Sequence, residues 1–547
     1  MTKATMRQDE LKFASVREVD GVEISVKAEK LHSKFNEKKY YCEIGAYVNC
    51  GGEHGDTLCL ISRVQVVEIE KTKKIDGEIH YITEEINKVI LSVVGTVSKG
   101  RFDRGAARLP TIGCNVYFLS DDQVNSIIGV ESEADKEFFL VTNPEVNKTY
   151  LNLDKLIGRH TAILGTTGSG KSSTVASIVQ SILNSYKCPR IVFFDMHNEY
   201  PDAFGFGEEH NDHFRSKTNC IAWSDFSLPY WFLDLEEFIG VFYPSAGSSQ
   251  ESTIKDIIKD LKREESGLTG GDCERISANT PLFFDINKLV KKLKELEDAE
   301  STATKKDPFA KLRLRFESVL DDSRYGFLKK DIDKKTSLSN YLKHILGMFE
   351  SEKYLSILDL SGLPSEVRNV CIGVLSRLLF DFKYWEKDPD DLPLALILEE
   401  AHSYIPEETE ARFSLCKERV ERIAKEGRKY GIGLIVITQR PSNVSTTVLS
   451  QCGTFITLRL TNDGDQNKVK RLLPDTLAGQ ADALSGLRDG EALVSGDGIK
   501  LPRKVQFKRP DPAPRSNDVK YHIAWESGPA EGYSLENATK AWEQLKK

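Results

Sequence analysis

The chain has 547 residues, 40% apolar and 29% charged, which suits two to four globular domains and excludes collagen-like, mucin-like and wholly disordered chains. Lysine and arginine number 75 against 83 acidic residues, a net charge of −8. A protein that is basic all over is therefore excluded, and any contact with nucleic acid has to come from a local basic surface. The ten cysteines are scattered with no two in CxxC spacing, which points to reduced thiols rather than a disulfide framework or a zinc ribbon. The opening MTKATMRQDELKF has no apolar run fit for a signal peptide, and no stretch nears the ~18 apolar residues of a membrane helix. A cytoplasmic protein with no membrane partner is the expectation.

Residues 40–140 read as short strands: YYCEIGAYVNC, TLCLISRVQVVEIE, VILSVVGTVSKG and NVYFLSD. Turn chemistry breaks them at Gly51-Gly52, Asp76-Gly77 and Pro110-Thr111-Ile112-Gly113. That rhythm predicts a small β-barrel within an N-terminal domain, residues 1–145, whose first ~35 residues carry no clear pattern.

From about residue 150 the period changes. TAILG (161–165), RIVFFD (190–195), YLSILDL (354–360), LALILEE (394–400), GLIVITQ (433–439) and TFITLRL (454–460) are apolar runs separated by helical patterns. Continuous apolar strands between helices predict a parallel sheet covered on both faces, an α/β core spanning 146–235 and 351–510. Between the two parts, residues 236–350 read as a helical insertion. ESTIKDIIKDLKRE and INKLVKKLKELEDAE have helical periodicity there, and ESTATKKDPF (300–309) reads as a polar link. Beyond 500, LPRKVQFKRPDPAPRS carries Pro502, Pro510, Pro512 and Pro514 and reads as an extended arm; 511–547 is the C-terminal arm.

The sharpest signal is GTTGSGKS, Gly165 to Ser172, a full match to G-x-x-x-x-G-K-[ST] with a strand before it and a helix after it. Gly165, Thr167, Gly168, Ser169 and Gly170 would let the backbone N–H groups face phosphate oxygens at the helix N-terminus, with Ser173 in the first turn. Lys171 would reach the β and γ phosphates, and the Ser172 hydroxyl would ligate Mg²⁺. LALILEEAH delivers Glu399 and Glu400 at the end of a buried strand, where an ionisable pair is costly unless metal and water solvate it. Glu400 suits a general base, and Glu399 a ligand of the Mg²⁺ water shell, although this first position is more often Asp. Gln439 ends the strand GLIVIT and suits a contact to the γ-phosphate or the attacking water; an ordinary strand-end polar residue is the alternative.

The charged helix ERVERIAKEGRKYG pairs Glu418 with Arg422, Glu421 with Lys425 and Glu426 with Lys429 by spacing. Arg428 and Arg419 are left without acidic partners at that spacing, and Arg428 sits at the helix end before Gly431. Arg428 is therefore the local candidate for an arginine finger supplied to a neighbouring subunit. Asp195 and Glu199 fall at the carboxyl edge of a strand, either as a ligand-facing pair or with Asp195 capping the next helix. EEHNDH (208–213) reads as polar surface. No NKxD or LSGGQ motif occurs, so ATP is the expected nucleotide, and neither a Ras-like GTPase nor an ABC-type dimer is expected.

RHTAILGTTGSGKSSTV, DMHNEY, ILEEAHSYIP, RIAKEGRKYGIGLIVITQRPS and VGTVSKGRFDRG…LPTIGCNV together resemble the HerA family, a branch of the HerA–FtsK group of hexameric DNA-pumping ATPases. The resemblance covers roughly residues 40–510 in order. It implies a RecA-like P-loop core, an N-terminal barrel of the HerA type and a helical insertion. It also implies Glu400 as catalytic carboxylate, Gln439 as γ-phosphate sensor and Arg428 as the finger between subunits, and it adds Arg159 in an unassigned role. The Glu399 position departs from the commoner Asp-Glu pair.

Two functions follow as expectations. One is a homohexameric motor moving along double-stranded DNA, gripping the backbone by charge without reading sequence. The other is an ATP-gated platform for an effector, such as a NurA-like nuclease, another nuclease or a sirtuin-like protein, in DNA-end processing or antiphage defence. A pump docked to a membrane through a partner is the third reading.

Overall fold

A computed structural model describes the chain apart from residues 1–7, 53–54, 76–77, 99–100, 106–108, 121, 125–135, 144–147, 209–210, 244–246, 300–302, 331–334, 350–351, 409–410, 475–476, 516–518, 530–531 and 544–547. The chain divides into two units. Residues 1–171, 438–443 and 449–508 form the first, and 172–437, 444–448 and 509–547 form the second.

Nine strands open the first unit: β1 (Lys12–Asp20), β2 (Glu23–Ala28), β3 (His32–Phe35), β4 (Lys38–Tyr41), β5 (Tyr47–Gly52), β6 (Gly55–Ile75), β7 (Glu78–Ser98), β8 (Arg101–Arg104) and β9 (Asn115–Phe118). Pairing runs β2-β1-β9-β5-β6-β7-β8, and β2 also pairs with β7, so six strands return on themselves. Phe13, Ile24, Val26, Val48, Leu91 and Phe118 gather into one buried apolar cluster, as alternation along half-buried strands requires.

The expectation of short strands is corrected here, because β6 and β7 each run 21 residues. RVQVVEIEKTKK has no glycine or proline to stop the ladder. From Arg63 to Ile75 and from Glu78 to Ile86 the two strands pair with each other, past the stretches that pair with β5 and β2. The turn expected at residues 76–77 lies outside the described residues. A hairpin of β10 (Phe138–Leu140) and β11 (Tyr150–Asn152) then leads through the helix Leu153–Gly158 to β12 (Thr161–Leu164).

The second unit holds β13 (Ile191–Asp195), β14 (Thr218–Ile221), β15 (Leu355–Asp359), β16 (Leu394–Leu398) and β17 (Ile432–Thr438). They pair in the order β14-β15-β13-β16-β17, all parallel. Every residue of β13, β15, β16 and β17 is buried, which explains their unbroken apolar runs. β14 was absent from the sequence pattern because TNCI has two apolar residues only. The helices Lys171–Ser185, Ser365–Trp385 and Ala411–Glu426 belong with this sheet's chain path.

Helices Leu235–Phe242, Ser248–Ser266, Ile286–Ala299, Ala303–Asp321 and Leu338–Ile345 fill the stretch between β14 and β15. Ile254, Ile258 and Leu261 bury one face of the second at helical spacing. The polar link expected over 300–309 is corrected: the chain is helical again from Ala303, and residues 300–302 are outside the description.

Back in the first unit, β18 (Thr454–Thr457) pairs parallel with β12, while β19 (Glu491–Gly496) and β20 (Arg503–Gln506) follow antiparallel. Two expectations fall with these strands. The sheet is mixed rather than all parallel, and residues 503–506 are a sheet strand rather than part of an extended arm. From Arg509 to Arg515 the chain is neither helix nor strand, with Pro510, Pro512 and Pro514 buried and Asp511, Ala513 and Arg515 exposed. The helices Tyr521–Ser527 and Leu535–Glu543 then follow where an extended arm was expected.

Candidate active site

In the first unit, β12 ends at Leu164 and the phosphate loop begins. Gly165 donates its N–H to the Thr438 carbonyl, and Thr166 donates to the Arg459 carbonyl at 2.9 Å. Ser169, wholly buried, donates its hydroxyl to the Thr166 carbonyl at 2.7 Å. Gly170 has φ +87°, and a Cβ there would stand 2.7 Å from the Gly490 nitrogen, so the loop passes this point only with glycine. The Gly490 N–H closes the contact by donating to the Ser169 carbonyl at 2.9 Å.

The loop's Thr167 donates its hydroxyl to Gln439 Oε1 at 2.5 Å, which brings together two of the residues singled out from the sequence. Lys171 is buried at the loop's end. A cavity of about 660 Å³ opens here, lined by Thr166, Thr167, Gln439, Arg440, Arg459 and Asp465 among others. Arg459 was missed in the sequence. Its guanidinium donates to the Gly168 carbonyl at 3.2 Å and pairs with Asp489 at 2.9 Å, bracing the loop. Arg459 follows β18 by two residues, and only the folded sheet puts it beside the loop. Arg159 follows the helix Leu153–Gly158, and its guanidinium is paired with Asp497, which also binds Arg104 at 3.1 Å.

In the second unit the Ser172 hydroxyl donates to Glu199 Oε2 at 2.9 Å. Ser173 follows in the same helix. Asp195, at the end of β13, accepts the N–H groups of His197 and Tyr200 at 3.1 Å and of Glu199 at 3.3 Å. Asp195 therefore shapes the turn that presents Glu199. Glu399 Oε2 accepts the Met196 N–H at 3.0 Å, and its own carbonyl accepts the Tyr404 hydroxyl at 2.9 Å. Glu400 takes a left-handed backbone, φ +49°, and its carboxylate stands 3.2 Å from His402 Nδ1. A non-glycine residue in that region is strained, and such strain gathers at functional sites.

Asp195, Asp359, Glu399 and Glu400 are all buried. Burial raises the Asp195 pKa to about 6, with the Asp359 charge adding to it. Burial also holds the Glu399 carboxyl well above its ordinary range, reinforced by the charge of Asp195. The Tyr200 hydroxyl is wholly buried beside the Ser172 side chain; burial holds its pKa well above the ordinary range, and the charges of Glu399, Asp195 and Glu199 raise it further. Buried carboxylates that accept main-chain N–H groups and meet no cationic side chain among the described residues, as Asp195 and Glu399 do, fit a hydrated cation. Among the described residues no three His, Cys, Asp or Glu side chains are arranged as direct metal ligands. Mg²⁺, which commonly keeps several waters and binds through phosphates and one or two protein oxygens, suits such a site.

Arg428 lies in the 3₁₀ turn Gly427–Tyr430, ended by Gly431 at φ +69°, and is exposed without an ion pair among the described residues. Arg419 corrects the sequence reading: it is paired, 2.9 Å from Asp234 and 3.4 Å from Glu236. Arg422 reaches Asp381 at 3.6 Å rather than Glu418, while Glu421 and Lys425 do pair, at 3.3 Å. The ten cysteines are all free thiols. No described helix is long and apolar enough to cross a membrane.

An α/β core that ends a buried strand in a complete phosphate loop, and another in buried carboxylates, defines a P-loop ATPase. The family profile described as helicase HerA, central domain, matches residues 139–379, and the HerA-like C-terminal profile matches 360–516. The chain belongs to the HerA helicase family. It is 27% identical over 505 residues to a probable helicase of Methanocaldococcus jannaschii, covering 88% of this chain and 90% of that one. It is 26% identical over 412 residues to the DNA double-strand break repair helicase HerA of Sulfolobus acidocaldarius, covering 73% and 74%. The solved structure of VirB4 of Thermoanaerobacter pseudethanolicus aligns with 72% of this chain and 99% of its own, at 14% identity and a TM-score of 0.46.

Proposed function

We propose that this protein is a homohexameric ATPase that moves along double-stranded DNA and works with a separate effector, a NurA-like or other nuclease or a sirtuin-like protein, in DNA-end processing or antiphage defence. The observation that carries the reading is Arg428, exposed in the 3₁₀ turn after the helix Ala411–Glu426 and without an ion pair among the described residues, whereas Arg419 and Arg422 of that helix are engaged within the chain. An exposed arginine without an ion pair among the described residues suits one that completes a neighbour's site. The ring of strands in the first unit plays the part of the N-terminal barrel, and the parallel sheet that of the RecA-like core.

Lys171 and Ser172 are adjacent in the chain and belong to one phosphate-loop motif. Lys171 would hold the β and γ phosphates, and Gln439, already joined to the loop through Thr167, would report on the γ position. Mg²⁺ bound with ATP supplies charge neutralisation at the phosphates. Ser172 would hold it directly and Glu399 through water, leaving Glu400 to take the proton of the attacking water. Arg159, tied to Asp497, is assigned to support of the loop's approach strand.

The rival reading, an ATP-gated platform, has one observation of its own: the β6–β7 ribbon, a two-stranded extension that such a platform would offer to a partner. Steady-state ATP hydrolysis with and without linear duplex DNA tests the two. Stimulation that Arg428→Ala abolishes supports the motor. A rate indifferent to DNA, with an effector still activated by Lys171→Ala protein, overturns the motor in favour of the platform.

A further inference from the structure

In the second unit the chain after Arg509 packs on the helix Lys171–Ser185. Gln180, buried in the helix Lys171–Ser185, donates from Nε2 to the carbonyls of Ala203 at 2.8 Å and Pro512 at 2.9 Å. Its Oε1 accepts the Asp511 N–H at 3.1 Å. The arm is thus seated on the very helix that carries Ser172. Three residues further on, the main-chain N–H of Arg515 donates to the carbonyl oxygen of Glu199 at 2.8 Å, while the Arg515 residue is exposed.

Glu199 is therefore held at three points: its N–H by Asp195, its carbonyl by the arm, and its carboxylate by the Ser172 hydroxyl. A hydroxyl that donates to a carboxylate has its proton fixed, its lone pairs turned elsewhere and its oxygen made more electron-rich. These are the properties a hydroxyl needs to ligate a cation, and outer carboxylates commonly confer them on metal ligands.

We propose that Glu199 is a positioning residue that orients the Ser172 hydroxyl toward the divalent cation accompanying the nucleotide, and that the C-terminal arm, through the Arg515 main chain, holds Glu199 in place. This rests on the nucleotide site proposed above. It makes the seating of the arm and the cation affinity of the ATP site one linked equilibrium: drawing the arm off Gln180 loosens the cation.

The test is binding of a fluorescent ATP analogue to the full-length protein as Mg²⁺ is titrated in after EDTA treatment. Glu199→Ala is expected to raise the Mg²⁺ midpoint roughly tenfold with the metal-free affinity unchanged. Glu199→Met, which keeps bulk and loses the acceptor, repeats the test where Ala disturbs folding. Glu199→Gln keeps an acceptor oxygen and recovers most of the shift. Arg515→Pro removes the N–H donor and moves the midpoint in the same direction, whereas Arg515→Ala keeps it and does not. A wild-type midpoint in both Glu199→Ala and Glu199→Met overturns the proposal, and identical behaviour of the two Arg515 variants overturns the arm's part. Lys171→Ala keeps the two readings apart. Analogue binding lost in Lys171→Ala but normal in the Glu199 variants sinks this inference alone, whereas binding that survives Lys171→Ala at full strength sinks the nucleotide site itself.

Discussion

Two groups of buried carboxylates stand in the second unit, and they are neutralised in opposite ways. At the start of the helix Leu235–Phe242, Glu237 receives the Arg377 guanidinium at 2.7 and 2.8 Å, and Asp234 receives Arg419 at 2.9 Å. Burial raises the Glu237 pKa there, and the Arg377 charge pulls it back down. At the ends of β13 and β16, Asp195 and Glu399 are as deeply buried, and only main-chain N–H groups pull their pKa values down. The first group is finished within the chain and holds helices together. The second is unfinished, and an unfinished buried charge is where a ligand belongs.

The sharpest way to break that contrast is chemical. Glu400→Gln should lower kcat for ATP hydrolysis by roughly 10²- to 10⁴-fold, the range for removing a general base, with ATP binding retained. Hydrolysis within tenfold of wild type would make the β16 carboxylates architectural, like those of the insertion.

The mirror experiment falls on the paired group. Arg377→Ala leaves Glu237 buried without its cation and should cost about 3–5 kcal/mol in urea unfolding. Replacing both partners, Arg377→Met with Glu237→Leu, should restore most of that, because Asp234 keeps Arg419. ATP hydrolysis in the double variant, measured alongside, should stay near wild type. A single variant as stable as wild type would mean that the pairing does not hold the helices.

The contrast also explains what could be read before the structure. Gly165 to Ser172, Glu399 and Glu400 were legible because a phosphate loop and a strand-end acid pair are local patterns, set by chain spacing alone. The buried strands of the parallel sheet were legible for the same reason, as runs too apolar for anything else. Arg419 was misread as unpaired because helical spacing searches one helix, and its partners Asp234 and Glu236 lie more than 180 residues away in sequence. Arg459 gave no signal at all, since its value lies in reaching Gly168 across the sheet. The length of β6 and β7 was hidden because the sequence was read as short strands between turns, whereas the two strands pair with each other from Arg63 to Ile75 and from Glu78 to Ile90.

The smallest effect, and the one that probes the unfinished group without touching hydrolysis, is on pH. Asp195 carries a folded-state pKa of about 6, above the ordinary 3.8, because burial penalises its charged form. Glu399 is raised for the same reason. A raised carboxyl binds its proton more tightly in the folded protein, so its stabilising contribution is whole below about pH 4 and is lost as pH rises through 6. In EDTA and without nucleotide, Asp195 alone should make the protein more stable at pH 5 than at pH 7.5, by about 1.4 kcal/mol. Other groups titrate over the same span, so the difference between variants is the measurement. Glu399→Gln should raise stability at pH 7.5 and leave it nearly unchanged at pH 5, and adding Mg²⁺ with ATP should shrink the gap from wild type, since bound cation favours the ionised carboxylates. If Glu399→Gln and wild type trace parallel pH curves in EDTA, the buried acids are not waiting for a cation, and the contrast with the arginine-paired group collapses.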